Sequence, residues 1–512
     1  MRVLFVSSEA YPLAKTGGLA DVSGSLPAAL ASFGLDVRLL IPAYPMALDR
    51  LANPHSVADL GEDVRVGPMR LIGGRMPDSG VPVWLLDCPH LFRRAGRLYT
   101  DENGRDWPDN ARRFAVFNHV AMRLARGLRG IAWRPDVVHA NDWHAGLTPA
   151  LLKTLPANDR PASLFTIHNI AFQGLFPPGV FPELGLAPAA FSPGGVEYYN
   201  QVSFLKAGIR YADEVTTVSP TYAREIASSE LGFGLQGVLS ERLEHLSGIL
   251  NGVDYGTWDP AHDHHLPCRY DVGNLANKGE CKRRIREEFG LDPDPEVPLI
   301  AFISRLTGQK MADVVLEALP WLDRQKAQLA VVGQGEPDIE RAFREAGAGR
   351  NGRVAVHVGY DEPVAHRVLA GADMLLAPAR FEPCGLTQMY ALRYGTVPLV
   401  RATGGLSDTV VDVGARNIRR DIATGYRFRD ATLAAMTGCI ARALEGFRQP
   451  ALWRHIQRAG MKQDFGWPQS AARYLAIYDR LLGAASGVSR LRASAVRGDD
   501  YVGEPLAQQE GE

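Results

Sequence analysis

The chain opens Arg2-Val3-Leu4-Phe5-Val6-Ser7, continues Ser8-Glu9-Ala10-Tyr11-Pro12-Leu13-Ala14-Lys15-Thr16-Gly17-Gly18, and enters Leu19-Ala20-Asp21-Val22. The short apolar run ending in serine reads as a buried strand, and helical spacing begins near Leu19 and lasts to Phe33. Two adjacent glycines at a helix start expose backbone N–H groups and let a ligand come close, and the helix dipole favours an anion there. Lys15, just upstream, carries an ammonium able to reach a phosphate. For a lone glycine pair the competing reading is a plain turn beside a solvated lysine.

The same rhythm recurs outward from this segment. Short runs at Val37–Ile41, Val81–Leu86, Asp136–His139, Leu164–His168 and Val215–Ser219 read as strands. Most are separated by helical stretches such as Arg112–Leu128 and Ser203–Tyr211. Asn251 to about Pro298 breaks the pattern, and the linker is placed near Gly252–Pro260. Strands resume at Leu299–Ser304, Leu329–Val332, Val354–Val358, Met374–Ala377 and Val397–Val400. The fold class is therefore α/β, with two doubly wound halves, residues 1–252 and 253–485, and ligands beyond the carboxyl ends of the strands. The polar stretch 486–512 reads as a disordered tail.

Composition bounds the function. The 512 residues are 46% hydrophobic and 22% charged with a net charge of −1, which lacks the basic excess of a nucleic-acid or anionic-membrane binder. Five scattered cysteines without a C-x-x-C pair argue for a reducing compartment and against a disulfide framework. No run approaches a membrane span, and the first apolar run is too short for a signal peptide, so a cytoplasmic location is expected.

Several loops carry candidate chemistry. Arg305 and Lys310 follow Leu299–Ser304, where two cations suit a diphosphate and the charge that develops on it. In Arg380-Phe381-Glu382-Pro383-Cys384-Gly385-Leu386-Thr387, a strand gives way to a helix. The amides of Gly385, Leu386 and Thr387 suit an anion, and Glu382 beside them suits sugar hydroxyls. Val332-Gly333-Gln334-Gly335 begins a dinucleotide fingerprint, but Asp338 holds the third glycine's place, leaving only a close-approach loop. Thr16-Gly17-Gly18-Leu19 recurs as Thr403-Gly404-Gly405-Leu406, which suggests the same close backbone approach in both halves. Asn141, Asp142 and Trp143, with His139, His144 and His168 nearby, suit sugar recognition. His139, Asp142 and His144 are zinc-ligand types without the helical spacing of a zinc site, and His262-Asp263-His264-His265 reads as exposed linker.

Taken together these loops resemble bacterial glycogen synthases and plant starch synthases. The matching runs are Lys15–Val22, Asp142–Gly146, His168–Gly174, Asn251–Asp254, Ser304–Thr307 with Gln309-Lys310, Arg380–Thr387 and Thr403–Leu406, in family order from Arg2 to Leu482. The resemblance implies a GT-B architecture and retaining transfer of glucose from ADP-glucose to an α-1,4-glucan, glycogen, with no cofactor and no required metal. It implies that Lys15, Gly17 and Gly18 bind the donor diphosphate and that Arg305 and Lys310 neutralise the leaving nucleotide. It further implies that Glu382 holds glucose hydroxyls, Gly385–Thr387 cradle the distal phosphate, His168 lines the glucose pocket and Tyr360 stacks on adenine. Asp21, Asp142 and Asn169 join the binding set, and the last helix, about Ser470–Leu482, is expected to cross back to the first half. Met311 stands where the family has glycine, so strain or another path is expected there. The rivals are a GT-B phosphorylase, which would carry pyridoxal phosphate on a lysine, and a non-enzymatic glucan binder, which would not need the Arg305/Lys310 pair.

Overall fold

The computed structural model describes residues 1–228, 230–359 and 361–483. Tyr360 and the expected tail 486–512 lie outside the described residues. The first half builds β1 (Arg2–Val6), β2 (Asp36–Pro42), β3 (Ala52–Asp63), β4 (Gly67–Arg75), β5 (Pro82–Asp87), β6 (Val137–Asn141) and β7 (Ala162–Ile167). After β7 comes a small antiparallel ribbon of β8 (Leu175–Phe176), β9 (Glu197–Tyr198) and β10 (Gln201–Ser203), then β11 (Glu214–Thr217) and β12 (Leu246–Gly248). One nine-stranded sheet runs β12-β11-β7-β6-β1-β2-β5-β4-β3. Its central strands are buried almost throughout, as expected of parallel strands with both faces covered.

The second half builds β13 (Leu299–Ile303), β14 (Gln328–Gly333), β15 (Val354–Val358), β16 (Met374–Ala377), β17 (Val397–Arg401) and β18 (Tyr426–Phe428). They form a six-stranded, all-parallel sheet ordered β15-β14-β13-β16-β17-β18. The order reverses between β1 and β6 in one sheet and between β13 and β16 in the other. These are the places where loops diverge and leave a crevice. The loops of Lys15–Gly18, Asp142–His144, Arg305–Lys310 and Glu382–Thr387 follow these four strands.

The parallel reading needs one correction. β3 pairs antiparallel with β4, and β4 with β5, extending the first sheet by a long hairpin. β3 is mostly exposed and shifts register three times, so it has no continuous apolar face to announce it. In the linker cluster His262 and His264 are exposed as expected, but Asp263 needs a correction. Asp263 is buried and accepts from His366 Nδ1 at 2.7 Å and from the Tyr394 hydroxyl at 2.5 Å, so it is a core acceptor and not exposed linker.

The chain passes between the halves at Leu250–Val253 and returns at Phe465–Trp467. The amide of Val253 donates to the carbonyl of Phe465 at 2.7 Å, so the two crossings are tied to each other. Gly252 lies against Trp467, where a Cβ would come within 2.5 Å of the indole. The last helix, Trp467–Leu481, then packs into the core of the first sheet through Tyr474 and Tyr478. The Tyr478 hydroxyl is 2.8 Å from His139 Nδ1, and Arg480 pairs with Glu214 at 2.7 Å. The helix thus lies against the first half.

Met311 begins the helix Ala312–Gln325 from a left-handed backbone, φ 53° and ψ 31°, with its side chain fully buried in the second core. It therefore takes a backbone conformation that suits glycine and carries the strain. Left-handed backbone costs an L-residue about 1–2 kcal/mol, whereas deleting a buried methionine side chain costs about 2–5 kcal/mol. Packing outweighs strain. Met311→Gly should lower stability by about 1–3 kcal/mol in urea titration; a gain in stability would show the opposite balance.

Candidate active site

The loop after β1 is fixed from below. Glu9 is 3% exposed, and its carboxylate accepts from the Thr16 amide and from the Thr16 hydroxyl at 2.9 and 3.0 Å. Above it, Gly17 and Gly18 open the helix Gly18–Ser32 without a side-chain cap. A Cβ on either glycine would meet nothing within 4 Å. Neither glycine has a positive φ, so neither backbone angle nor a protein neighbour requires glycine there. Lys15 Nζ donates to Asp21 Oδ1 at 2.7 Å. Burial pushes the Asp21 carboxyl up, and Lys15 opposes that rise.

Beside this loop lie the ends of β6 and β7. Asp142 sits at φ 54°, and its Oδ1 accepts from the His168 amide at 2.7 Å. Burial lifts its carboxyl to about 7, against the hydrogen bonds from the His168 and Asn169 amides. Asp142 therefore shapes the His168–Asn169 turn from beneath. His168 Nε2 is 3.0 Å from Asn141 Oδ1, and burial lowers the imidazole to about 3. The ring is neutral at pH 7. With Nε2–H donated to Asn141, Nδ1 is left as an acceptor suited to a hydroxyl. Asn169 Oδ1 is occupied by the Ala171 amide at 3.0 Å. His139 does not share this site. Its ring nitrogens face Tyr478 and Thr166 in the core. Among the described residues, the group with metal-like spacing is Asp263, His264 and His265, away from His139, Asp142 and His144.

In the second half, Lys310 Nζ pairs with the Glu382 carboxylate. Met311 has not carried Lys310 away from this loop. Arg305 Nη2 donates to Gln309 Oε1 at 3.2 Å, and Gln309 Nε2 donates to the Phe381 carbonyl at 3.2 Å, which joins the β13 and β16 loops. Arg380 holds the same junction from behind, through the Gly308 carbonyl and both oxygens of Asp313 at 2.9 and 2.7 Å. Gly385, at φ 71°, leads into the helix Thr387–Arg393, whose start has no side-chain cap. Gly385, Leu386 and Thr387 are half-buried here.

Two glycine readings resolve differently from the first. A Cβ on Gly333 would lie 1.9 Å from the Ser304 carbonyl, and one on Gly335 would lie 2.2 Å from that of Leu306. The broken fingerprint therefore seats the Arg305 loop against protein backbone. Gly404 and Gly405 are likewise filled. A Cβ on Gly404 would lie 1.8 Å from the Glu382 carbonyl, and the Gly404 amide donates to Glu225 at 3.0 Å. The repeated Thr-Gly-Gly-Leu thus faces an open cleft in the first half and packs the Glu382 loop in the second.

The halves meet around these loops. Ser219 Oγ donates to the Pro383 carbonyl at 2.7 Å, Thr221 pairs with Asp408 at 2.6 Å, and Lys15 lies 3.9 Å from Glu362. Buried Tyr222 accepts from the Ile170 amide at 3.1 Å and feels the charges of Asp142, Glu225 and Glu382 together. Sequence reasoning assigned no role to Glu9, Tyr222 or Glu225. Glu9 alone had a visible signal, an acid at a strand's carboxyl end just before the glycine loop.

The chain is similar to known proteins over nearly its whole length. A family model described as starch synthase catalytic domain matches residues 2–241, and one described as glycosyl transferases group 1 matches residues 283–427. A glycogen synthase of Paramagnetospirillum magneticum is 49% identical over 494 residues, 96% of this chain and 100% of that protein. One of Burkholderia thailandensis is 49% identical over 509 residues, 96% of this chain and 95% of that protein. The catalytic domain of starch synthase IV from Arabidopsis thaliana, solved bound to ADP and acarbose, superposes with a TM-score of 0.85 at 30% identity, covering 94% of this chain and 99% of that one. Sucrose-phosphate synthase from Thermosynechococcus elongatus shares the fold, with a TM-score of 0.58 at 17% identity over 94% of this chain and 100% of that one. The chain therefore belongs to the family of bacterial glycogen synthases and plant starch synthases, glycosyltransferases of GT-B fold.

Proposed function

We propose that this chain transfers glucose from ADP-glucose to the non-reducing end of an α-1,4-glucan, extending glycogen with retention of configuration. The observation that carries this reading is that the halves meet at these loops, with Ser219 on the Pro383 carbonyl beside the Lys310–Glu382 pair and Lys15 of the open glycine loop 3.9 Å from Glu362 of the second half. The relatives named glycogen synthase and the neighbour solved with ADP and acarbose support the choice of donor and acceptor. Lys15, Gly17 and Gly18 take the donor diphosphate from the first half, with Asp21 holding Lys15. Arg305 and Lys310 neutralise the departing ADP, and Gly385, Leu386 and Thr387 take its distal phosphate. Glu382 and His168 hold glucose hydroxyls, Asp142 and Asn169 shape the sugar side, and Tyr360 is assigned to adenine.

Donor binding exchanges partners at Lys310. The ammonium leaves Glu382 for phosphate, and Glu382 turns to the sugar. A front-face reaction follows, in which the departing phosphate helps deprotonate the acceptor hydroxyl. The protein supplies orientation and positive charge that counts most in the transition state. The reading includes a cytoplasmic location. No helix among the described residues is long and apolar enough to cross a membrane.

Labelled ADP-glucose incubated with glycogen tests the reading: label should enter the polymer as ADP is released, and an inert protein would refute it. Lys310→Ala or Arg305→Ala should lower kcat by about 10²–10³, the loss seen when one preorganised electrostatic group is removed. Lys15→Gln should act mainly on the KM for ADP-glucose, and Glu382→Ala should lower kcat without weakening ADP, as steady-state kinetics and ADP titration would show. Because lysine and arginine supply the charge, we also propose that no metal is needed. Turnover should survive exhaustive chelation, and loss restored by Mg²⁺ or Mn²⁺ would contradict this.

A further inference from the structure

Beneath the Lys15–Gly18 loop lies a carboxylate that the reaction described above does not use. Glu9 leaves the end of β1 and turns under the loop. Its two oxygens take the Thr16 amide and the Thr16 hydroxyl, and the Gly17 amide and the Tyr99 hydroxyl, close by, favour its charged form. Tyr99 is itself 2.7 Å from Ser8 Oγ and lies over His144, with ring centroids 4.2 Å apart, so the support is rigid. The hydroxyls can donate or accept, but the two amides can only donate, and a carboxylate offers them two strong acceptor oxygens where a protonated carboxyl or an amide offers one. We propose that Glu9 is a positioning residue, whose buried carboxylate holds Thr16 and Gly17 so that the Lys15–Gly18 loop presents its amides to the donor diphosphate. This rests on the assignment of that loop to the diphosphate.

The environment makes the grip depend on pH. Burial lifts the Glu9 carboxyl to about 7, and the bonds from Thr16, Tyr99 and Gly17 oppose the rise. The titratable groups facing it from other elements are Tyr99, before the helix Asn110–Arg126, Tyr44 after β2, and Asp142 after β6. Lys15 lies on its own loop. Protonation removes an acceptor from the loop, so donor affinity should fall as pH falls through about 7. Simple repulsion between Glu9 and the diphosphate would act in the other direction, with affinity improving in acid. Stability carries its own sign. With its pKa raised in the fold, the group favours folding most below its unfolded pKa, and that contribution is lost as pH rises through about 7. A fall in donor affinity in acid therefore cannot come from this group's effect on folding. The diphosphate diester of the donor keeps its charge throughout this range.

The KM for ADP-glucose and kcat are measured between about pH 6 and about pH 8.5 for the wild type, Glu9→Gln and Thr16→Val, with thermal melts as a folding control. Glu9→Gln also removes the charge that raises Asp142, so Thr16→Val, which keeps both carboxyls, is the comparison that isolates Glu9. Wild-type KM should rise by up to about tenfold from about pH 8 to about pH 6, with kcat changing less. Glu9→Gln should have a raised KM that is nearly flat with pH. Thr16→Val removes a bond that favours the ionised form, so its midpoint should move to higher pH. Wild-type KM and profile in Glu9→Gln, or a wild-type KM that falls in acid, would overturn the inference. If Glu9→Gln does not fold, an unmoved midpoint in Thr16→Val overturns it. A wild type that transfers nothing from ADP-glucose defeats the proposed function and this inference together, whereas transfer with an insensitive KM defeats this inference alone.

Discussion

Between Glu382 and Cys384 the backbone of the second half is gripped from both sides. Gly404 and Gly405 lie against its carbonyls where no side chain fits, and Ser219 of the first half donates to the Pro383 carbonyl at 2.7 Å. Buried polar backbone must be satisfied, and here one carbonyl is satisfied across the boundary between halves. The direction of Glu382, and with it the partner of Lys310, is set by this double contact. The paired crossings at Val253 and Phe465, and the last helix bound to His139, keep the two sheets in reach of each other.

Charge in the cleft is paired rather than spread. Lys310 holds Glu382, Lys15 holds Asp21, and Arg380 holds Asp313. Under the proposed function a diphosphate competes with carboxylates for the first two cations, which makes binding an exchange of partners. The third pair is structural, because Arg380 also fastens the Gly308 carbonyl. The buried histidines add no charge. Burial keeps His139, His144 and His168 neutral, and His139 and His168 are the two that hydrogen-bond polar neighbours.

Much of this was legible in order along the chain. A buried strand ending in small or polar residues, then glycine, then a helix, locates each cleft loop, since those features are local. What glycine faces is not local. Gly17 and Gly404 stand in the same four-residue motif, yet one opens on the cleft and the other on the Glu382 carbonyl. The difference lies in a loop some twenty residues from Gly404. Glu225 and Tyr222 were illegible for the same reason, because their partners lie in the other half or in the loop after β7. The β3–β4 hairpin escaped because its strands are too exposed to show a buried run. Met311 was visible as a departure, but only its backbone angles and its burial show that it keeps a glycine-like path.

The central claim is that a nucleoside diphosphate binds between the two switch points and takes Lys310 from Glu382. A crystal structure of this protein with ADP tests that most directly. The phosphates should lie on the amides of Gly385–Thr387 within reach of Arg305 and Lys310, with the Lys310–Glu382 pair broken. ADP seated elsewhere, or bound in the cleft with that pair intact, would contradict the account.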